Sequence, residues 1–137
     1  MKNFEYTPKT DVFIEHFAWT VAKTAFKQDQ SQIQLFLRQV LDYDNPDSNN
    51  YYVELALAFN IAQKNTDYQI SGLAKRVYDL KNLPLDFDSN NLDQDVINLL
   101  ARPIAEEVET LIYETTSVIL KKPINVNLTN LHAQYKK

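Results

Sequence analysis

The stretch YYVELALAFNIAQK, residues 51–64, decides how the chain is read. Tyr51, Tyr52, Val53, Leu55, Ala56, Leu57, Ala58, Phe59, Ile61 and Ala62 are apolar or aromatic, and on a helix they point in every direction. A helix that is apolar all round has to be covered on most sides. Crossing a bilayer takes about 20 apolar residues, and Glu54 interrupts this shorter run. The expectation is a central core helix at about 51–64 with other helices laid around it.

Working outward, DYDNPDSNN (residues 42–50) gathers Asp, Asn and Ser around Pro46 and reads as a loop, with Ser48 or Asn49 capping the central helix. Before it, Asp29 and Gln32 form a capping pair for a helix with the stripe Ile33, Phe36, Leu37, Val40 and Leu41. The first helix opens at Thr7-Pro8 and carries Val12, Phe13, Ile14, Phe17, Ala18, Val21, Ala22, Ala25 and Phe26 at three- and four-residue steps.

Downstream, Asn65 is expected as a left-handed stop for the central helix. Asp67 caps a fourth helix with Ile70, Leu73, Ala74, Val77 and Tyr78 inward and Gly72 inside it. Residues 83–89 read as an extended connector. A fifth helix starts near Asn91 and carries Val96, Leu99 and Leu100. An interior proline costs about 3 kcal/mol, so Pro103 is expected to kink that helix or to open a sixth, with Ile104, Val108, Leu111, Ile112, Thr115, Val118 and Ile119 on one face. Pro123 ends it, and the tail makes a short turn around Leu128 and Leu131. The expected fold class is all-α: one domain, residues 1–137, with five to six helices around the central one.

Composition narrows the function classes. The chain has 137 residues, 45% of them hydrophobic and 23% charged, enough to bury a core without staples. It has no cysteine, which excludes a disulfide scaffold, a thiolate metal site and a cysteine nucleophile. The single glycine, Gly72, rules out a phosphate-binding or dinucleotide loop. It also argues against a mostly β fold, whose hairpins lean on glycine. The start, MKNFEYTPKTD, shows no apolar signal segment, and no run is long enough to span a membrane, so a cytoplasmic location is expected.

Charge is unevenly spread. Between residues 86 and 114 the acids Asp86, Asp88, Asp93, Asp95, Glu106, Glu107, Glu109 and Glu114 stand against Arg102 alone. Asp42, Asp44, Asp47 and Glu54 add a second acidic run, flanked by Tyr43, Tyr51 and Tyr52. Tyrosine beside a charged rim is a common interface anchor. Acidic faces steer basic partners, although acids near helix N-termini also serve the helix dipole alone. The expected contact surface is Asp42, Tyr43, Asp44, Asp47, Tyr51, Tyr52, Glu106 and Glu109, and the expected partner is another protein with a basic surface.

Other chemistry is poorly supplied. Asp86, Asp88 and Asn90 begin like a calcium loop, but Asn91 and Ile97 stand where the glycine and the bidentate glutamate belong. His16 and His132 are the only histidines; Glu15 and His16 are adjacent and point apart, and Glu106 and Glu109 lack a histidine three residues on. No metal, no cofactor and no catalysis are expected, and a helical enzyme or metal protein is the lesser alternative. Nucleic acid is an alternative through Lys75, Arg76, Lys81 and the basic tail, but the aromatics interleave with acids, which repel phosphate.

Over residues 42–52 an acidic segment, Pro46-Asp47 and then Tyr51-Tyr52 resembles the loop by which colicin-nuclease immunity proteins cover a basic toxin. The resemblance illustrates a mechanism and assigns no family. Taken together, the residues point to a small acidic helical protein-protein interaction module: an inhibitor, an immunity factor or an adaptor within a larger complex.

Overall fold

A period of two, and not of 3.6, governs residues 51–61. Val53, Leu55, Leu57, Phe59 and Ile61 are buried, and the positions between them hold Tyr52, Glu54, Ala56, Ala58 and Asn60. Successive side chains of a strand point to opposite faces. The stretch is therefore a strand with one face of large aliphatic and aromatic side chains and one face of small and polar ones. The computed structural model describes residues 5–40, 51–81, 94–120, 123–128 and 133–136, and in it this stretch is the strand β4 (Tyr51–Ile61). The all-α expectation is thereby corrected. Alanine at 56 and 58 made the segment look apolar all round, whereas size alternates along it.

The same correction applies on both sides. Where the first, second and fourth helices were expected stand β1 (Glu5–Pro8), β2 (Phe13–Val21), β3 (Gln32–Val40) and β5 (Tyr68–Lys81). Among the described residues one α-helix, α1 (Gln94–Ile119), and a short strand, β6 (Ala133–Lys136), follow. The sheet order is β1-β5-β4-β3-β6, with β2 beside β1 along the same edge of β5. All pairs are antiparallel except β3 with β6. Asp29 caps a turn rather than a helix: its Oδ1 accepts a hydrogen bond from Ser31 N at 2.8 Å just before β3.

Few glycines suffice because asparagine takes their place. Asn65 sits at φ 66°, in the turn between β4 and β5 and not at a helix end. Asparagine enters this left-handed region more readily than most residues. The turn is tied down by Thr66 Oγ1, which donates to Gln63 O at 2.8 Å, and by Asn65 N, which donates to Phe26 O at 2.9 Å. Gly72 is needed for a different reason. A Cβ there would overlap the His16 carbonyl oxygen of β2 and stand 2.5 Å from Phe59 Cζ. The ring of Phe59 lies over the place a side chain would take.

The helix covers one face of the sheet. Val96, Ile97, Leu100, Ile104, Val108 and Ile112 of α1 pack with Leu35, Leu55, Leu57, Ile61, Tyr78 and Leu80. Pro103 lies within α1 and neither breaks it nor starts a new helix. Proline removes the N–H that would bond the Leu99 carbonyl. One residue on, the buried Tyr78 hydroxyl donates to Leu100 O at 2.6 Å, so β5 supports the helix at this turn. Burial pushes the Tyr78 hydroxyl above its ordinary pKa of 10.0, and the Arg76 guanidinium over its ring opposes that shift.

Tyr78→Phe is expected to lower unfolding stability by about 1–2 kcal/mol, because a buried carbonyl loses a donor. Equilibrium urea unfolding measures it. A raised pKa in the folded state contributes stability that is complete below pH 10.0 and is lost as pH rises through the folded value. The Phe variant should therefore lose less stability than the parent on passing from pH 9 to above pH 10.0.

After α1 the chain is strapped back. Thr116 Oγ1 donates to Ile112 O at 2.7 Å and accepts from Ile124 N at 2.8 Å. Leu128, fully buried, donates its N–H to Glu109 Oε1 at 2.8 Å. No helix among the described residues is long and apolar enough to cross a membrane.

Candidate functional site

A wide concavity lies where α1 passes over the β3 side of the sheet. Ile33 and Leu35 of β3 and Leu57 of β4 form its floor, since odd-numbered residues of both strands face the helix. One flank of α1 forms the wall: Asn98, Ala101, Arg102, Ala105 and Glu109 recur at three- and four-residue steps and so share a face. Ala101 and Ala105 have short side chains, which leaves depth between helix and strand. Leu128 closes one end. The cavity holds about 800 Å³ and is partly open to solvent.

Its rim is charged. Asp95, Glu106 and Glu109 stand around the mouth with Arg102 as the single base among the lining residues. Arg102 Nε bonds Glu106 Oε1 at 3.2 Å in the open, an exposed pair worth about 0.3–0.5 kcal/mol. Leu99, almost half exposed, adds an aliphatic side chain at the entrance. Gln94 Nε2 donates to Asn98 Oδ1 at 2.9 Å on the same lip. Aliphatic depth, amide groups at the lip and an acidic rim make a trough that can take apolar side chains and attract cationic ones.

The opposite face of the sheet is built differently. A row of alternating charge crosses four strands: Glu15 of β2, Lys75 of β5, Glu54 of β4 and Arg38 of β3. Lys75 Nζ lies 2.8 Å from Glu15 Oε2 and 3.7 Å from Glu54 Oε1. Arg38 grips Glu54 with Nε at 3.0 Å and Nη2 at 3.3 Å. A bulge between Ile14 and His16 accompanies Glu15 in this row. Cross-strand ion pairs of this kind fix register more than they attract partners.

Of the expected contact residues, the fold places Tyr52 on the opposite side of the sheet from Glu106 and Glu109. Asp42, Tyr43, Asp44 and Asp47 lie outside the described residues, as do Asp86 to Asn90 of the calcium-like segment and His132. Tyr51 opens β4. Tyr52 faces away from α1, with the Lys9 ammonium 5.0 Å from its ring centre. Glu106 and Glu109 do come together, on the groove, and Glu109 also holds Leu128. His16 and Trp19, expected one helical turn apart, lie on opposite faces of β2. Among the described residues no cluster of His, Cys, Asp and Glu could hold a metal ion.

Lys75 and Arg76, expected together at a nucleic-acid surface, lie on opposite faces of β5. Lys75 is engaged in the charge row, and Arg76 points to the other face, donating to Thr10 O at 2.9 Å. Ile33, Leu35, Leu57, Leu99, Ala101 and Ala105 were not among the expected site residues. The pair of alanines four apart, each followed by a charged residue, is the signal available for them.

Residues 6–128 match the family described as Protein of unknown function (DUF1149), and the chain belongs to that family. A protein of unknown function from Streptococcus agalactiae is similar over 90% of this chain and 98% of its own, with a TM-score of 0.68 at 18% identity, which shows a shared fold. A SecB-like chaperone of Mycobacterium tuberculosis, in complex with a ChAD peptide from an antitoxin, is similar over 89% of each chain, with a TM-score of 0.48 at 10% identity. No curated protein matches the chain. The helical interaction module expected from the residues, with its inhibitor and immunity-factor versions and the helical nucleic-acid alternative, is set aside, because the described residues form a β-sheet with one helix.

Proposed function

We propose that this member of the DUF1149 family binds an extended, apolar and basic segment of another protein in the groove between α1 and β3. One observation carries the reading: a trough of about 800 Å³ with aliphatic floor and alanine wall, rimmed by Asp95, Glu106 and Glu109. Binding sites commonly have volumes of about 300–1,000 Å³, apolar linings and a few polar groups. Its extent along α1, from Gln94 to Glu109, favours a chain over a compact small molecule. Side chains of an extended segment alternate, so one set can enter the trough while the other meets the acidic rim. The activity is binding without catalysis, and its place is the cytoplasm, in keeping with a chain that uses no cysteine.

Two labelled peptides of equal length test this, one alternating leucine with lysine and one alternating leucine with glutamate. Fluorescence anisotropy is expected to show binding of the first, weakening as salt rises from about 50 to 500 mM, and little binding of the second. Equal binding of both, or indifference to salt, contradicts the acidic-rim reading.

A further inference from the structure

Sheet edges offer unpaired backbone groups, and proteins guard them with charge, proline or bulges. The outer edge of β2 is guarded in one half only. Its first half carries the bulge between Ile14 and His16 and the charged Glu15. Its second half, Phe17-Ala-Trp-Thr-Val21, has no charge, no proline and no irregularity of register. Among the described residues no strand pairs with that edge.

This bare half is also apolar on the helix side. Phe17, Trp19 and Val21 are registered with Gly72, Ile70 and Tyr68 and so face α1. Trp19 is 44% exposed and Val21 56%, and Ile119 at the end of α1, beside Trp19, is 45% exposed. Together these three expose on the order of 300 Å², the size at which a patch on a monomer takes on meaning.

We propose that a second copy of this chain covers this edge, pairing β2 with β2 antiparallel about a two-fold axis at Trp19. The residues of the strand are compatible with a second copy of the same strand in this register. Residues directly opposite in an antiparallel pair must share a face. With the axis at Trp19, Trp19 meets Trp19, Phe17 meets Val21 and Ala18 meets Thr20, and all three pairings agree in face. An axis at Phe17 would set Phe13 against Val21, and the bulge has placed those two on opposite faces. The axis doubles the apolar patch, and the paired backbones enlarge it toward the roughly 1,000 Å² that a specific interface needs. Ile119 of each copy then lies at the border of the Trp19 pair.

The full-length chain tests this directly. Trp19 is the sole tryptophan, so its emission reports the interface. Sedimentation velocity at about 100 μM chain is expected to show a dimer with blue-shifted emission, turning to monomer and red-shifted emission on dilution to about 0.1 μM. Val21→Lys, at an exposed position, should give a folded monomer at both concentrations. The chain has no cysteine, so register is read by oxidation. An equal mixture of Ala18→Cys and Thr20→Cys chains should form a mixed disulfide, since facing Cα atoms are about 4.5–5.5 Å apart. Either variant alone should not, because the diagonal distance is about 7–8 Å. A monomer at about 100 μM, a dimer that survives Val21→Lys, crosslinking of either variant alone, or none in the mixture overturns the proposal.

Discussion

Gly72→Val is expected to lower unfolding stability by about 3 kcal/mol, the upper end for overpacking a filled site. For a chain of this size that is a fall of about 10 °C in melting temperature. The sign is what makes the result informative. On propensity alone, valine in a strand interior should stabilise relative to glycine. Here the new side chain meets the His16 carbonyl, which is backbone held in the β2–β5 ladder, and the ring of Phe59, which packs against Phe17 with centroids 6.3 Å apart. Only the ring could move, and it would move into the core. Gly72→Ala should cost less, about 2 kcal/mol. Thermal unfolding by circular dichroism decides, and a neutral or stabilising valine would show that β2 is not seated on β5 as described.

The second large effect concerns binding. Asp95→Lys combined with Glu106→Lys should weaken the leucine–lysine peptide by about 10- to 100-fold at low salt and bring the leucine–glutamate peptide into measurable range. Both residues are on the exposed rim, so the fold should be unaffected. Glu109 is left in place because its Oε1 holds the Leu128 N–H. Leu99→Glu at the entrance should weaken both peptides by removing an aliphatic contact. Titrations at about 50 mM salt measure both. If the double variant binds the two peptides as the parent does, the rim plays no part.

The misreading of residues 51–64 has a physical cause. Alanine is compatible with a buried helix and with the small side of a strand, so counting apolar residues does not separate the two periods. Ranking them by size does, because Val53, Leu55, Leu57, Phe59 and Ile61 then alternate with smaller or polar residues. Residues 33–37 carry the same signal in Ile33, Leu35 and Leu37. The scarcity of glycine misled in the same direction, since Asn65 supplies the left-handed turn. Among the described residues only α1 keeps its helical period in both sequence and structure, and it runs through Pro103 without a break.

The site was legible in part for related reasons. Glu106 and Glu109 stood out by charge, and charge survives any error in secondary structure. The groove's floor did not stand out. It depends on which residues of β3 and β4 face α1, and that follows only once the strands are recognised. Tyr52 was grouped with those acids by sequence distance, but it faces the other side of the sheet.

The groove itself is tested most directly by mapping backbone amide shifts by NMR during titration with the leucine–lysine peptide. The account predicts changes concentrated at Ile33 to Leu37, Leu57 and residues 94–109. Changes confined to the charge row of Arg38, Glu54 and Lys75, to β2, or absent at saturation would contradict it.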